Sequence, residues 1–176
     1  TKTDPAIAEG AGGYLIVWSD IRNNPFGSSE YEAAQDIFGM RVSATGQPLD
    51  AVPFSIASEK GTQTKPKVTW NGSSWLVVYE STTLDGNGAY YAKTLASKRI
   101  SASGTVLDSQ PIAVPGLDPT YGWAIASNGS QWLIVSQGGG FSTDIIGIRI
   151  SANGQVLDPP TRTLVPATYF WRSNLR

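Results

Sequence analysis

The chain repeats itself, and no other property of its 176 residues constrains the fold as strongly. Three segments read RVSATGQPLD (41–50), RISASGTVLD (99–108) and RISANGQVLD (149–158). Ahead of each stands a second related segment: PAIAEGAGGYLIVW from Pro5, PKVTWNGSSWLVVY from Pro66 and WAIASNGSQWLIVS from Trp123, aligned without gaps. The unit is therefore hairpin, link, hairpin, link, starting at 5, 66 and 123. One repeat domain covers 1–176, with units at about 5–65, 66–122 and 123–166 and a C-terminal extension at 167–176.

In the first hairpin a short strand around Ile7, Val68 or Ile125 runs into a turn. In two copies that turn is Asn71-Gly72 or Asn128-Gly129, whose positive φ suits a tight connection. The next strand is apolar at every position: Tyr14 to Trp18, Trp75 to Tyr79 and Trp132 to Val135. Side chains alternate between the faces of a strand, so these strands need cover on both sides. In the second hairpin, Thr45-Gly46, Ser103-Gly104 and Asn153-Gly154 taken as two-residue turns set Arg41 opposite Asp50, Arg99 opposite Asp108 and Arg149 opposite Asp158. A three-residue loop with a Gly bulge would shift the register by one and break that match, so the two-residue turn is expected.

Four strands per unit, with sheets stacked face to face, predict an all-β fold: a β-propeller-like array of three four-stranded antiparallel blades. A β-trefoil is the alternative, since three units of four strands also satisfy its threefold closure. Three blades leave large apolar faces at both ends, so a second copy, another protein chain or further sequence is expected to complete the propeller.

The units resemble the long tandem arrays of large bacterial surface and secreted proteins. The resemblance rests on Asn71-Gly72 with Trp75 to Tyr79, on Asp36 to Ser43 and Asp144 to Ser151, and on Gly104 to Asp108. The middle copy has Thr94 where the others have Asp36 and Asp144, and the first has Gly10-Ala11 in place of Asn-Gly. The resemblance implies a propeller-like fold and defines no substrate or cofactor.

Composition narrows the chemistry. Lys plus Arg number 13 and Asp plus Glu 14, a net charge of -1, which leaves no basic footprint for nucleic acid. Zero His and zero Cys remove the usual zinc ligands, His-dependent nucleophiles and disulfides. No metal and no cofactor is expected. The longest apolar runs are far shorter than the roughly 20 residues of a membrane span. Lack of Cys fits an extracellular or cell-surface location, with the periplasm an alternative. The chain opens on Thr1 without a leader, as expected of a processed product or a piece of a longer one.

In a meander the tight turns collect at one end and the variable links at the other. The links run over 19–35, 80–93 and 137–143, and length variation is confined to them. Binding groups tend to sit on such loops. The candidate ligand-binding residues are Arg22, Asn24, Phe26 and Tyr31 of the first link, Tyr90 and Tyr91 of the second, Phe141 of the third, and Trp123 at a link end. The ligand expected is polar, a glycan or a protein. Asp85-Gly86-Asn87-Gly88 has an acidic start suited to calcium, but Ala96 stands where the loop needs Glu, so a plain turn is expected. Asn71-Gly72-Ser73 and Asn128-Gly129-Ser130 match the glycosylation acceptor, although turn chemistry accounts for them better. No catalytic residue is assigned. The alternatives to a non-catalytic binding or assembly module are a carbohydrate-active enzyme using two of Asp20, Glu30, Glu32, Glu59, Glu80 and Asp85, and a structural subunit of a larger complex.

Overall fold

The computed structural model describes residues 1–22, 35–84, 91–139, 142–158 and 161–167. Among these, three four-stranded antiparallel sheets follow one another, each a simple meander. Blade 1 is β1 (Lys2–Gly10), β2 (Gly13–Asp20), β3 (Asp36–Ser43) and β4 (Phe54–Ala57). Blade 2 is β5 (Thr62–Trp70), β6 (Ser74–Leu84), β7 (Tyr91–Ser101) and β8 (Ile112–Val114). Blade 3 is β9 (Trp123–Ser127), β10 (Gln131–Gln137), β11 (Ile145–Ser151) and β12 (Arg162–Val165). The first strands β1, β5 and β9 lie side by side, so the blades fan out from them. One 3-10 turn, Pro119–Tyr121, joins blades 2 and 3. Separate stacked sheets of this kind are blades, and the trefoil alternative falls.

The all-apolar second strand works as its composition demands. Trp75, Val77 and Tyr79 of β6 pack toward blade 1 with Leu15, Val17 and Ile37. Leu76 and Val78 point the other way, onto Trp132, Ile134, Ile148 and Ile150 of blade 3. All five β6 residues are buried, each burying on the order of 2 kcal/mol of transfer free energy. At both internal interfaces the Leu/Val face of one blade thus meets the aromatic-bearing face of the next.

Two sequence expectations need correction. The second hairpins do not turn on two residues: the Ser43 N–H donates to Gln47 O (2.8 Å) and the Gly46 N–H to Ser43 O (2.9 Å), which closes a three-residue loop with Gly46 at φ 83. The copies at 101–105 and 151–155 repeat it, with Gly104 and Gly154 both at φ 87. Backbone register accordingly sets Val42 against Pro48, and the Leu49 N–H donates to Arg41 O. The ion pair forms all the same, for a different reason. Beyond Pro48 the chain leaves the sheet and β4 returns only opposite Gly39, so the Arg41 N–H has no strand partner. The Asp50 carboxylate folds back to accept that N–H (2.7 Å) together with the guanidinium (Nη2–Oδ1 2.6 Å). Arg99 with Asp108, and Arg149 with Asp158, do the same. The fourth strand is also not the leg after the glycine. It lies further on, at β4, β8 and β12, where it pairs with the early part of the third strand.

Proline leaves a repeated mark. The pairing of β1 with β2 slips between Thr3 and Ala6, and that of β5 with β6 between Thr64 and Lys67. Pro5 and Pro66 lie inside these bulges, each preceded by a residue at positive φ, Asp4 at 51 and Lys65 at 50. A residue with no N–H fits a ladder only where the ladder is interrupted.

Candidate functional site

The link end of blade 1 is built by the C-terminus of β2 and the start of β3. Asp20 and Asp36 stand opposite one another in register there, both buried. Like charges so placed repel unless cations or donors intervene. The Asp20 carboxylate accepts from Trp18 Nε1 (3.1 Å), from the Arg22 backbone N–H (3.0 Å) and from the Arg22 guanidinium (2.9 and 2.5 Å). Burial pushes this carboxyl up, but the hydrogen bonds from Arg22 and Trp18 outweigh it and hold the pKa at about 2. Arg22 also covers the Phe38 ring at 4.1 Å. Arg22, a candidate ligand residue, is thus at the link end, but its guanidinium is already engaged.

Blade 2 carries two further ion pairs at this end. Lys65 Nζ lies 3.0 Å from Glu80, and Lys98 Nζ lies 2.5 Å from Glu59. The Tyr79 hydroxyl donates to the same Glu59 (3.5 Å). Three of the carboxylates that sequence left without partners, Asp20, Glu59 and Glu80, are therefore each held by a cation. Glu30, Glu32 and Asp85 lie outside the described residues. Among the described residues, no group of three acids could hold a metal ion, and no helix is long and apolar enough to cross a membrane.

Trp123 is not at the surface as a link-end position suggested. It is 7 % exposed, in the core between blades 2 and 3. Lys67 of β5 sits 4.6 Å over its ring and donates to its carbonyl, so the pair ties two first strands together. Asn24, Phe26, Tyr31, Tyr90 and Phe141 lie outside the described residues, as does the side chain of Tyr91. The Asn71 side chain is buried as an acceptor for Ser73 and Ser74, with its Nδ2 enclosed, which agrees with turn chemistry rather than a glycan.

The two end faces, which the repeat count predicts to be open, are where the structure departs most from its internal interfaces. Leu133 is 36 % exposed, whereas Leu15 and Leu76 at the same repeat position are at 0 %. Around it on the outer face of blade 3 lie Val135, Gly147, Leu164 and Val165. At the opposite end Ile7 is 59 % exposed, against 9 % for its counterpart Val68. Beside it Trp18 and Met40, with Lys2, Thr3, Pro5 and Pro53, line a depression of about 380 Å³.

No protein-family model matches the chain, and no curated protein sequence does. Among solved structures it is similar to an α-L-arabinofuranosidase from Lactobacillus brevis, with a TM-score of 0.50 at 13% identity, over 98% of this chain and 56% of that one. The fold is a β-propeller-like array of three four-stranded blades. A subtype N10 neuraminidase-like protein of A/little yellow-shouldered bat/Guatemala/060/2010 also aligns, with a TM-score of 0.37 at 8% identity, over 89% of this chain and 58% of that one. This chain spans less than two thirds of either structure. At such identities the likeness concerns fold and carries no activity with it.

Proposed function

We propose that this propeller chain is a non-catalytic assembly and binding module of a secreted or surface protein: its end faces dock further blades, and its link end meets a polar ligand, a glycan or a protein. One observation carries the reading. The residue positions that close both internal blade interfaces recur at the two ends with their apolar groups open to water, Leu133 against Leu15 and Leu76, and Ile7 against Val68. Isolated proteins rarely leave such faces uncovered. The resemblance of the repeats to long bacterial surface arrays supports the same reading. A catalytic role has less support, because Asp20, Glu59 and Glu80 are each paired with a cation.

A tandem fusion of two copies tests this. Docking of the second copy's first blade on Leu133 raises the denaturant midpoint above that of the single chain and protects Leu133 from hydroxyl-radical labelling. Equal midpoints, with Leu133 equally labelled, refute the reading.

A further inference from the structure

The internal blade interfaces carry a repeated polar staple, and its two halves lie unused at opposite ends of the chain. Arg41 of blade 1 donates through Nη1 to the carbonyl of Ala102 in the turn of blade 2 (3.3 Å). Arg99 of blade 2 donates in the same way to Ala152 of blade 3 (3.0 Å). In each case the turn glycine two residues on lies against the guanidinium: a Cβ on Gly104 would meet Arg41 Nε at 2.8 Å, and one on Gly154 would meet Arg99 Nε at 3.0 Å. Only glycine lets the turn approach so closely while holding its positive φ.

Arg149 is the third member of this series. Its Nε and Nη2 bind Asp158 as the others bind their aspartates, yet no acceptor for Nη1 is found among the described residues. Its side chain is 39 % exposed, against 22 % and 17 % for Arg41 and Arg99. The matching turn is Ala44-Thr45-Gly46 of blade 1, where a Cβ on Gly46 would meet nothing within 4 Å. The donor thus stands on the Leu133 face and the empty turn at the end that carries Ile7 and Trp18.

We infer that a second copy of this chain docks head to tail on the first, with Arg149 of each copy donating to the Ala44 carbonyl of the other while Leu133 and Val135 cover Ile7 and Ile16. The inference rests on the blade-docking reading above and names its partner. It follows from continuity: the contact formed is the one already made twice within the chain. An interface between unlike faces closes into a ring if the rotation allows it. Two copies give six blades, within the usual range of about four to eight, whereas three copies give nine.

The experiment measures mass by light scattering on the purified 176-residue chain across a concentration series. Wild type is expected to pass from 18.7 kDa to about 37 kDa as concentration rises. Ile7→Arg at one face and Leu133→Arg at the other are each expected to hold the chain at 18.7 kDa, with strand circular dichroism unchanged. Each copy presents both faces, so an equimolar mixture of the two variants regains mass near 37 kDa through one intact head and one intact tail. Arg149→Lys, which keeps the charge beside Asp158 but loses the Nη1 donor, is expected to weaken assembly several-fold.

A folded wild type that stays at 18.7 kDa at every concentration overturns the inference. So does assembly that responds to only one face variant, or that the mixture fails to restore, because either result means like faces meet. The tandem fusion separates the two claims: if it gains stability while separate chains stay apart, docking of blades stands and the second copy falls. If it gains none, both fall.

Discussion

Leu15, Leu76 and Leu133 occupy one repeat position, so truncating each to Ala removes the same atoms from three environments. At Leu15 and Leu76, which have no exposed surface, the loss comprises transfer of about three methylene equivalents at ~0.8 kcal/mol each. A cavity sealed by the adjacent blade adds to it, for a total of about 3 to 4 kcal/mol. Leu133, at 36 % exposure, has withdrawn only about two thirds of its surface from water, and the space it vacates opens to solvent instead of forming a cavity. Its truncation costs about 1.5 kcal/mol. The gap of about 2 kcal/mol corresponds to roughly 4 to 8 °C in a chain of this size. Urea titrations and thermal melts, run dilute enough that light scattering gives 18.7 kDa, measure all three variants. Equal losses at the three positions, or the largest loss at Leu133, would refute the assignment of Leu133 to an open face. At concentrations where a second copy docks, the cost at Leu133 rises toward the other two.

Three further outcomes follow from the same geometry. Gly10→Asn restores the residue that the other two copies carry, yet a Cβ there would lie 2.6 Å from the Trp70 ring, so we expect a loss of about 1–3 kcal/mol in thermal melts; an unchanged melt disproves the contact. The folded pKa of Asp20, about 2, lies below its unfolded value, so this group stabilises above roughly pH 4 and loses that effect as pH falls toward 2. Asp20→Asn should lower stability at pH 7 and flatten the acid limb between those values, and superimposable acid limbs would count against the Arg22 and Trp18 bonds. Trp123→Ala should cost about 3–5 kcal/mol and leave glycan-array signals unchanged, because the ring packs between blades; a lost signal in a variant of normal stability returns Trp123 to the binding surface.

Much of the architecture was legible from the repeats. A strand apolar at every position has to be covered twice, and β6 is covered twice. The Arg–Asp partners were also legible, since a matched pair at constant spacing in three copies implies contact. Their register was not. Two- and three-residue loops differ by one residue of pairing, and Asp50 can reach Arg41 from either, so the ion pair alone does not choose between them. The departure at Gly10 was visible as a broken motif, but its cause, the Trp70 and Trp75 rings lying on it from the next blade, is a long-range contact.

Sequence by itself determined the unit, its first three strands and the alternation of faces, because these depend on local periodicity and on comparison between copies. Only the tertiary structure decided that Asp20, Glu59 and Glu80 have cations beside them, that Trp123 is packed rather than presented, and that Arg149 is more exposed than Arg41 and Arg99 while the turn at Gly46 faces open space. Those outcomes depend on which elements lie across a gap, and a repeat gives every copy the same chemistry while, among the described residues, the outer faces of blades 1 and 3 meet no other blade.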